Sequence, residues 1–356
     1  MTRGRTTHTT PATIRDVARE LGMSVATVSR ALSRPELLRP QTRQRVMSVV
    51  ERLGYRPNLL ARGLRQGQAH AILFVAPNLS PFFLEIFAGA ETVTRDTPFA
   101  LLFGSSNGDL EREQHFFDQV ASGRADGIIL LTGVAPMAYA SGERPLPPLV
   151  TVLERLPGAA VPAVHTDHHA GALEAVQHLI GLGHRRIAHI TGLRRVPSTV
   201  RRLEGYREAL AAAELPSPPE LIHTGDFSMG SGAEGMTHLM GLPQPPTAVL
   251  CGNDEMAYGA IRALHKLGLS VPEAVSVVGF DDQNMAEFYN PPLTTVNIPR
   301  QELGRCAARQ LIDQLAGRAV ARDVVLPARL VIRESTAPPP ARSPGSREYR
   351  ARRRPR

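Results

Sequence analysis

From residue 71 onward the chain repeats one pattern: a short, continuous apolar run, a stretch of helical spacing, then another apolar run. The runs fall at 71–76, 99–103, 127–131, 149–153, 187–190, 221–223, 248–251 and 275–278. A strand wet on one face alternates apolar with polar residues, whereas a continuous apolar run needs cover on both faces. Helices between successive runs supply that cover. The pattern therefore predicts an α/β fold of two doubly wound parallel sheets. In such folds ligands lie beyond the carboxyl ends of the strands. The residues there are polar, with aromatics among them. Pro77 to Phe83 follow the first run and Ser105 to Asp109 the second. Gly252-Asn253-Asp254 and Gly279-Phe280-Asp281-Asp282 follow two late ones. Carboxylates, amides and aromatic faces suit a polyol, whose hydroxyls need paired hydrogen bonds and whose ring face stacks on apolar surface.

The first seventy residues follow another rule. Ile14, Val17, Ala18 and Leu21 have helical spacing, with Thr13 as N-cap, Asp16 three residues on and Gly22 as the stop. Ser24 then caps a second helix at 25–32, whose Val28, Ala31 and Leu32 face inward. A third runs over about 41–53 with Val46, Val49, Val50 and Leu53 on one face. Two short helices joined through a glycine turn make a helix-turn-helix, and the third completes a small core. Charge separates the two regions. Residues 1–68 hold thirteen arginines against Asp16, Glu20, Glu36 and Glu51, and 337–356 hold seven arginines against Glu348. Since the whole chain is only +8, the long centre is net acidic. Basic ends on an acidic body are the footprint of a nucleic-acid-binding end.

Three strings in this region, Thr-Ile-Arg-Asp-Val-Ala at 13–18, Ser-Val-Ala-Thr-Val-Ser-Arg-Ala-Leu at 24–32 and Gly-Tyr-Arg-Pro-Asn at 54–58, closely resemble the lactose/galactose repressor family, and the likeness runs on to Glu334-Ser335-Thr336. The resemblance implies a three-helix DNA reader and hinge helix followed by a periplasmic-binding-protein-like (type I) sensor. Its second helix would lie in the major groove, with Val25, Ala26 and Arg30 on base-reading positions. Arg30 suits guanine O6 and N7, while Val25 and Ala26 suit a thymine methyl. Thr13, Ser24, Thr27, Ser29, Tyr55 and Asn58 fall on phosphate-contact positions, though each hydroxyl serves equally as a cap. Residues 57–64 resemble the hinge helix, with Leu64 as the minor-groove wedge and Gly63 as a departure costing roughly 1 kcal/mol of helix propensity. In the sensor, Arg202, Asn253 and Asp281 match the polar ligand clamp, and Phe82, Phe83 and Phe227 the positions that pack on the effector. Glu154 stands where relatives often carry aspartate. The family's usual Asp-Asn pair reads Asp167-His168-His169 here. Adjacent histidines suggest metal, but neighbours on a strand point to opposite faces. As caps, Asn253 and Asp254 compete for the helix that follows them, and that role suits Asp254 better.

The expected layout is a helix-turn-helix domain at 1–56, hinge and linker at 57–68, a sensor and dimerisation domain at 69–336, and a disordered basic tail at 337–356. Within the sensor, Pro292 to Val296 resemble the family's crossover, which puts the subdomains at about 69–165 plus 297–326 and 166–296 plus 327–336. The tail lacks leucine heptads, so a homodimer is expected. Double-stranded operator DNA and a small carbohydrate-like effector are the expected partners. A nucleoside or purine, acting as corepressor or in an activator, is the alternative. No cofactor, metal or catalytic residue is expected. The strand 71–76 leads into Pro-Asn-Leu-Ser-Pro rather than a glycine-rich phosphate loop, and Gly230-Ser231-Gly232 is only a fragment of a nucleophile elbow, which argues against an enzyme. No run of eighteen apolar residues suggests a membrane span, and the polar start lacks a secretory pattern. Cys251 and Cys306 form neither a disulfide framework nor a metal spacing. These features predict a cytoplasmic, nucleoid-associated protein rather than a free periplasmic binding protein.

Overall fold

The structure, a computed structural model, describes residues 12–33, 38–55 and 68–341. The expected hinge helix, with Asn58, Gly63 and Leu64, and the tail from residue 342 lie outside the described residues. The chain divides into two compact units, Met1–Ala69 and His70–Arg356.

The first unit holds α1 (Ile14–Leu21), α2 (Val25–Ser33) and α3 (Pro40–Leu53). Thr13 opens α1 by donating its N–H and its hydroxyl to the Asp16 carboxylate at 2.9 and 2.7 Å. Gly22 stops the helix at φ 62°, a conformation that costs glycine little. The Ser24 hydroxyl then accepts the Thr27 N–H at 3.1 Å and starts α2. Val17, Ala18, Val28, Ala31, Val46 and Val49 close into one small core.

The second unit holds two six-stranded sheets. The first is built from β1 (Ala71–Ala76), β2 (Ala100–Ser105), β3 (Gly127–Leu130), β4 (Leu149–Val152), β5 (Ala163–Thr166) and β11 (Asp323–Leu326). The second contains β6 (Ile187–Thr191), β7 (Ile222–Thr224), β8 (Ala248–Cys251), β9 (Ser276–Asp281), β10 (Thr294–Asn297) and β12 (Arg329–Val331). Their orders are β11-β5-β4-β3-β1-β2 and β12-β10-β9-β8-β6-β7. Each is the 2-1-3-4-5 doubly wound arrangement with one more edge strand from the end of the chain. All described pairings are parallel except β10 with β12. The apolar runs predicted as strands are strands. The four not predicted, β5, β10, β11 and β12, are short, and β11 and β12 are half exposed, so no continuous apolar run marks them.

The chain passes from the first sheet to the second after Thr166, back after Asn297, and across again between Leu326 and Arg329. Helices cover both sheets: α4 (Pro81–Thr94), α5 (Leu110–Ala121), α6 (Met137–Ala140), α7 (His168–Gly181), α8 (Pro197–Ala212), α9 (Met229–Met240), α10 (Asp254–Lys266), α11 (Met285–Phe288) and α12 (Arg300–Leu315). Contrary to the strand assumed for His168 and His169, these residues begin α7, whose N-cap Asp167 accepts the Ala170 N–H at 3.0 Å. The reason is that Thr166, not Asp167, ends the strand. Side chains one step apart on a helix diverge by about 100° rather than reversing, and here His168 is buried while His169 reaches Glu208.

Packed helices approach closely at glycine. A Cβ on Gly205 of α8 would sit 2.3 Å from the His169 carbonyl oxygen, and one on Gly304 of α12 would sit 1.9 Å from that of Ile86 on α4. Gly205 lets α7 and α8 close up and so brings Arg202, one turn earlier, beside the start of α7. Gly205→Ala is expected to destabilise the second unit by about 1–2 kcal/mol net, overpacking outweighing the roughly 1 kcal/mol that alanine adds to a helix. Urea unfolding followed at the transition of the second unit measures it. An unchanged midpoint would show that the helices separate freely.

Candidate functional site

In the first unit, Val25, Ala26, Ser29 and Arg30 are exposed along one side of α2, while Val28 and Ala31 hold its other side in the core. Arg30 is exposed and makes no ion pair among the described residues. Thr27 is half-buried, its hydroxyl 2.9 Å from that of Ser24. Thr13, Ser24 and Thr27 thus have local structural bonds, each hydroxyl retaining capacity for one more. Tyr55 is half-buried just beyond α3 and packs on the core. This helix offers a compact apolar and guanidinium surface, the shape that a major groove admits.

In the second unit the clamp residues gather at the carboxyl edge of the second sheet. Arg202, on α8, is only 5% exposed. Its Nη1 donates to the Gly252 carbonyl, its Nη2 lies 3.3 Å from His168 Nδ1 and 3.5 Å from Asp281 Oδ1, and its guanidinium carbon sits 3.9 Å over the Phe280 ring. The Asp281 contact is an ion pair without a hydrogen bond, and both Asp281 Oδ1 and Arg202 Nε lack hydrogen-bond partners among the described residues. Buried polar atoms in that condition are rare and point to a partner from outside the fold or to ordered water.

Asn253 follows β8, and its Oδ1 accepts the Met256 N–H at 2.9 Å while its Nδ2 donates to the Phe227 carbonyl at 3.0 Å. Asn253 is therefore the N-cap of α10. This corrects the capping role expected of Asp254. Asp254 is the first helical residue and turns inward, accepting from Gln283 N–H at 2.7 Å and from the Thr295 hydroxyl. Asp282 is half-buried and is bound by Arg333 at 2.8 Å and Asn297 at 2.9 Å. Phe227 is half-buried with its ring against Gly192. Phe82 and Phe83 stand at the carboxyl edge of the first sheet, in the first turn of α4, with ring centroids 5.1 Å apart at 82°. Glu154, just after β4, crosses between the sheets to accept the Ser198 N–H at 3.1 Å and the Ser198 hydroxyl.

The edge is strained and charged. Leu153, Phe227 and Asp281 have φ of 68°, 71° and 111°, unusual for residues with side chains and typical of functional loops. Arg300 holds the last of these, donating to the carbonyls of Asp281 and Asp282 and to Glu85 of α4 at 2.8 Å. Burial pushes the Asp281 carboxyl up to about 6, against the pull of the Arg202 and Arg300 cations. Burial likewise raises Glu154 and presses His168 well below its ordinary value. His168, Phe280, Ser198 and Arg300 were not singled out from sequence as site residues. Two of them carry a sequence signal: Phe280 stands beside Asp281 at a strand end, and His168 falls at the family's usual Asp-Asn pair. The others depend on which helices pack together.

Residues 13–58 match the family described as bacterial regulatory proteins, lacI family, and residues 176–336 match the periplasmic binding protein-like domain. The HTH-type transcriptional repressor CytR of Escherichia coli (strain K12) is 38% identical over 330 residues, covering 92% of this chain and 97% of that protein. The chain belongs to the lacI family. This regulator is also 33% identical to catabolite control protein A of Priestia megaterium, over 91% of this chain and 99% of that one. Among solved structures it resembles the lac repressor dimer bound to operator and the anti-inducer ONPF, with a TM-score of 0.83, 28% identity, and 92% and 100% of the two chains covered. It also resembles a CelR–cellobiose complex, with a TM-score of 0.69, 32% identity, and 91% and 99% covered. The lacI-family chain is a DNA-binding transcriptional regulator. No helix among its described residues is long and apolar enough to cross a membrane.

Because the Asp281 value lies above the ordinary 3.8, ionising it costs the folded state. That cost is absent below about pH 4, grows as pH rises toward 6 and is constant above. Carboxyl ¹³C NMR of Asp281 is expected to show a midpoint near 6, and Arg202→Leu is expected to raise it further by removing the nearest cation. A midpoint near 4 in both proteins would show the carboxyl to be solvated.

Proposed function

We propose that this regulator is a repressor, bound to a pseudo-palindromic operator as a homodimer and released by a small carbohydrate-like effector held between the two sheets. The observation that carries the reading is the buried Arg202–Asp281 pair. It leaves one fixed donor and one fixed acceptor unpaired at the carboxyl edge of the second sheet. A vicinal diol supplies both complements, since each hydroxyl donates and accepts. Phe227 on the second sheet's side and Phe82 and Phe83 on the first's offer apolar faces for the ring. Cellobiose in the similar CelR complex supports the same chemical class. We assign Arg202, Asn253 and Asp281 as polar effector contacts and Val25, Ala26 and Arg30 as base readers. Thr13, Ser24, Thr27, Ser29, Tyr55 and Asn58 are assigned to phosphates, and Leu64 to the minor-groove step. The groups at the sensor site bind and orient, so the role is recognition rather than catalysis.

The effector acts through differential affinity for two arrangements of the sheets, so operator DNA must weaken effector binding by the factor with which effector weakens DNA binding. Thermal shift against a panel of sugars and nucleosides identifies the compound, since binding to the folded state raises its stability. Operator binding by fluorescence anisotropy then tests the mechanism. Arg202→Ala and Asp281→Ala are expected to abolish release while leaving operator affinity near wild type. Tighter operator binding with the compound would make it a corepressor.

Arg30→Ala is expected to lower operator affinity by about 1–3 kcal/mol while leaving scrambled DNA less affected. Equal loss on both DNAs would reassign Arg30 to a phosphate.

A further inference from the structure

We infer that His168 is the positioning residue of the clamp: its Nδ1 accepts from Arg202 Nη2 and fixes the plane in which the guanidinium faces Asp281 and the effector. The inference rests on the proposed effector role of Arg202 for its consequence, but not for its geometry. A guanidinium has only donors, so the 3.3 Å contact between Arg202 Nη2 and His168 Nδ1 requires Nδ1 to be the bare, accepting nitrogen. The proton then sits on Nε2. That nitrogen is buried and has no partner among the described residues. Burial, together with the nearby Arg202 cation, keeps the ring uncharged, and a charged ring could not accept at all.

The restraints on Arg202 divide the work. Gly252 O fixes Nη1 from the end of β8, and the Phe280 ring lies beneath the guanidinium. Neither contact is made by Nη2 itself. Asp281 cannot hold Nη2 tightly, because their 3.5 Å contact makes no hydrogen bond. Among the described residues only His168 supplies that second directional contact. Its place is set by the Asp167 cap of α7 and by the close approach of α8 at Gly205.

The two ring nitrogens have separate mimics. Asparagine puts a carbonyl oxygen near the Nδ1 position, whereas glutamine reaches the Nε2 position. Selective ¹⁵N labelling of histidine and arginine in the full chain reads the geometry with no effector present. Wild type is expected to show His168 as the Nε2–H tautomer and slow rotation about the Arg202 Nε–Cζ bond. His168→Asn is expected to keep that rotation slow. His168→Gln and His168→Leu are expected to speed it roughly tenfold or more, the factor that follows loss of one hydrogen bond to a charged group. Melting curves verify that each variant is folded. An Nδ1–H tautomer in wild type, or slow rotation in all three variants, overturns the inference, and the wild-type tautomer decides it even if no variant folds. Rotation kept slow by glutamine but not asparagine would also overturn it, moving the role to Nε2. The effector panel fails separately: if Arg202→Ala responds like wild type, the site reading falls and the tautomer result stands.

Discussion

A guanidinium taken out of water is the constraint around which the carboxyl edge of the second sheet is arranged. Arg202 cannot shed its proton at any pH of interest, so the fold must surround it with acceptors and negative charge. Gly252 from β8, His168 from α7, Asp281 from β9 and the Phe280 face do so from four directions. A buried ion pair of this kind adds little net stability, because desolvation offsets attraction, yet deleting one partner leaves a bare buried charge. In the proposed reading this arrangement serves as a receptor rather than as a brace. It agrees with that reading that Asp281 Oδ1 and Arg202 Nε have no hydrogen-bond partner among the described residues.

The topology explains why these groups meet. Both sheets have the same doubly wound order, so each presents its loops at the carboxyl ends of its strands. Three passages of the chain between the sheets make them parts of one body that share short connections. Side chains bridge the same boundary: Glu154 reaches Ser198, and Arg300 joins Glu85 to the backbone of Asp281 and Asp282. In the proposed reading a ligand at Asp281 acts on a residue whose own carbonyl is tied, through Arg300, to Glu85 of α4, the helix that carries Phe82 and Phe83. The positive φ of Asp281 is held in place by these same bonds rather than by local preference.

The DNA-reading unit is organised differently. Its elements are set by neighbours in sequence: a capping box, a left-handed glycine and a serine cap within a dozen residues. Val28 and Ala31 point into its core, and that alone turns Val25, Ala26, Ser29 and Arg30 outward. No distant residue among those described is needed to define this exposed side of α2.

That contrast marks what the sequence determined by itself. Local rules fixed the three helices of the reader, because caps and 3.6-residue spacing act over a few residues. Continuous apolar runs gave the parallel sheets, because burial on both faces leaves no polar alternation. The clamp residues Arg202, Asn253 and Asp281 were named through family likeness, and their chemistry was left to the tertiary structure. Only packing could show that Asn253 rather than Asp254 caps α10, since both are good caps and the choice turns on Thr295 and the Gln283 backbone, far along the chain. The short strands β5, β10, β11 and β12 carried no pattern, being stabilised by pairing partners distant in sequence. His168 looked like half of a histidine pair until α7 and α8 closed at Gly205. Its role is decided by a neighbour 34 residues away, and spacing along one chain holds no record of that contact.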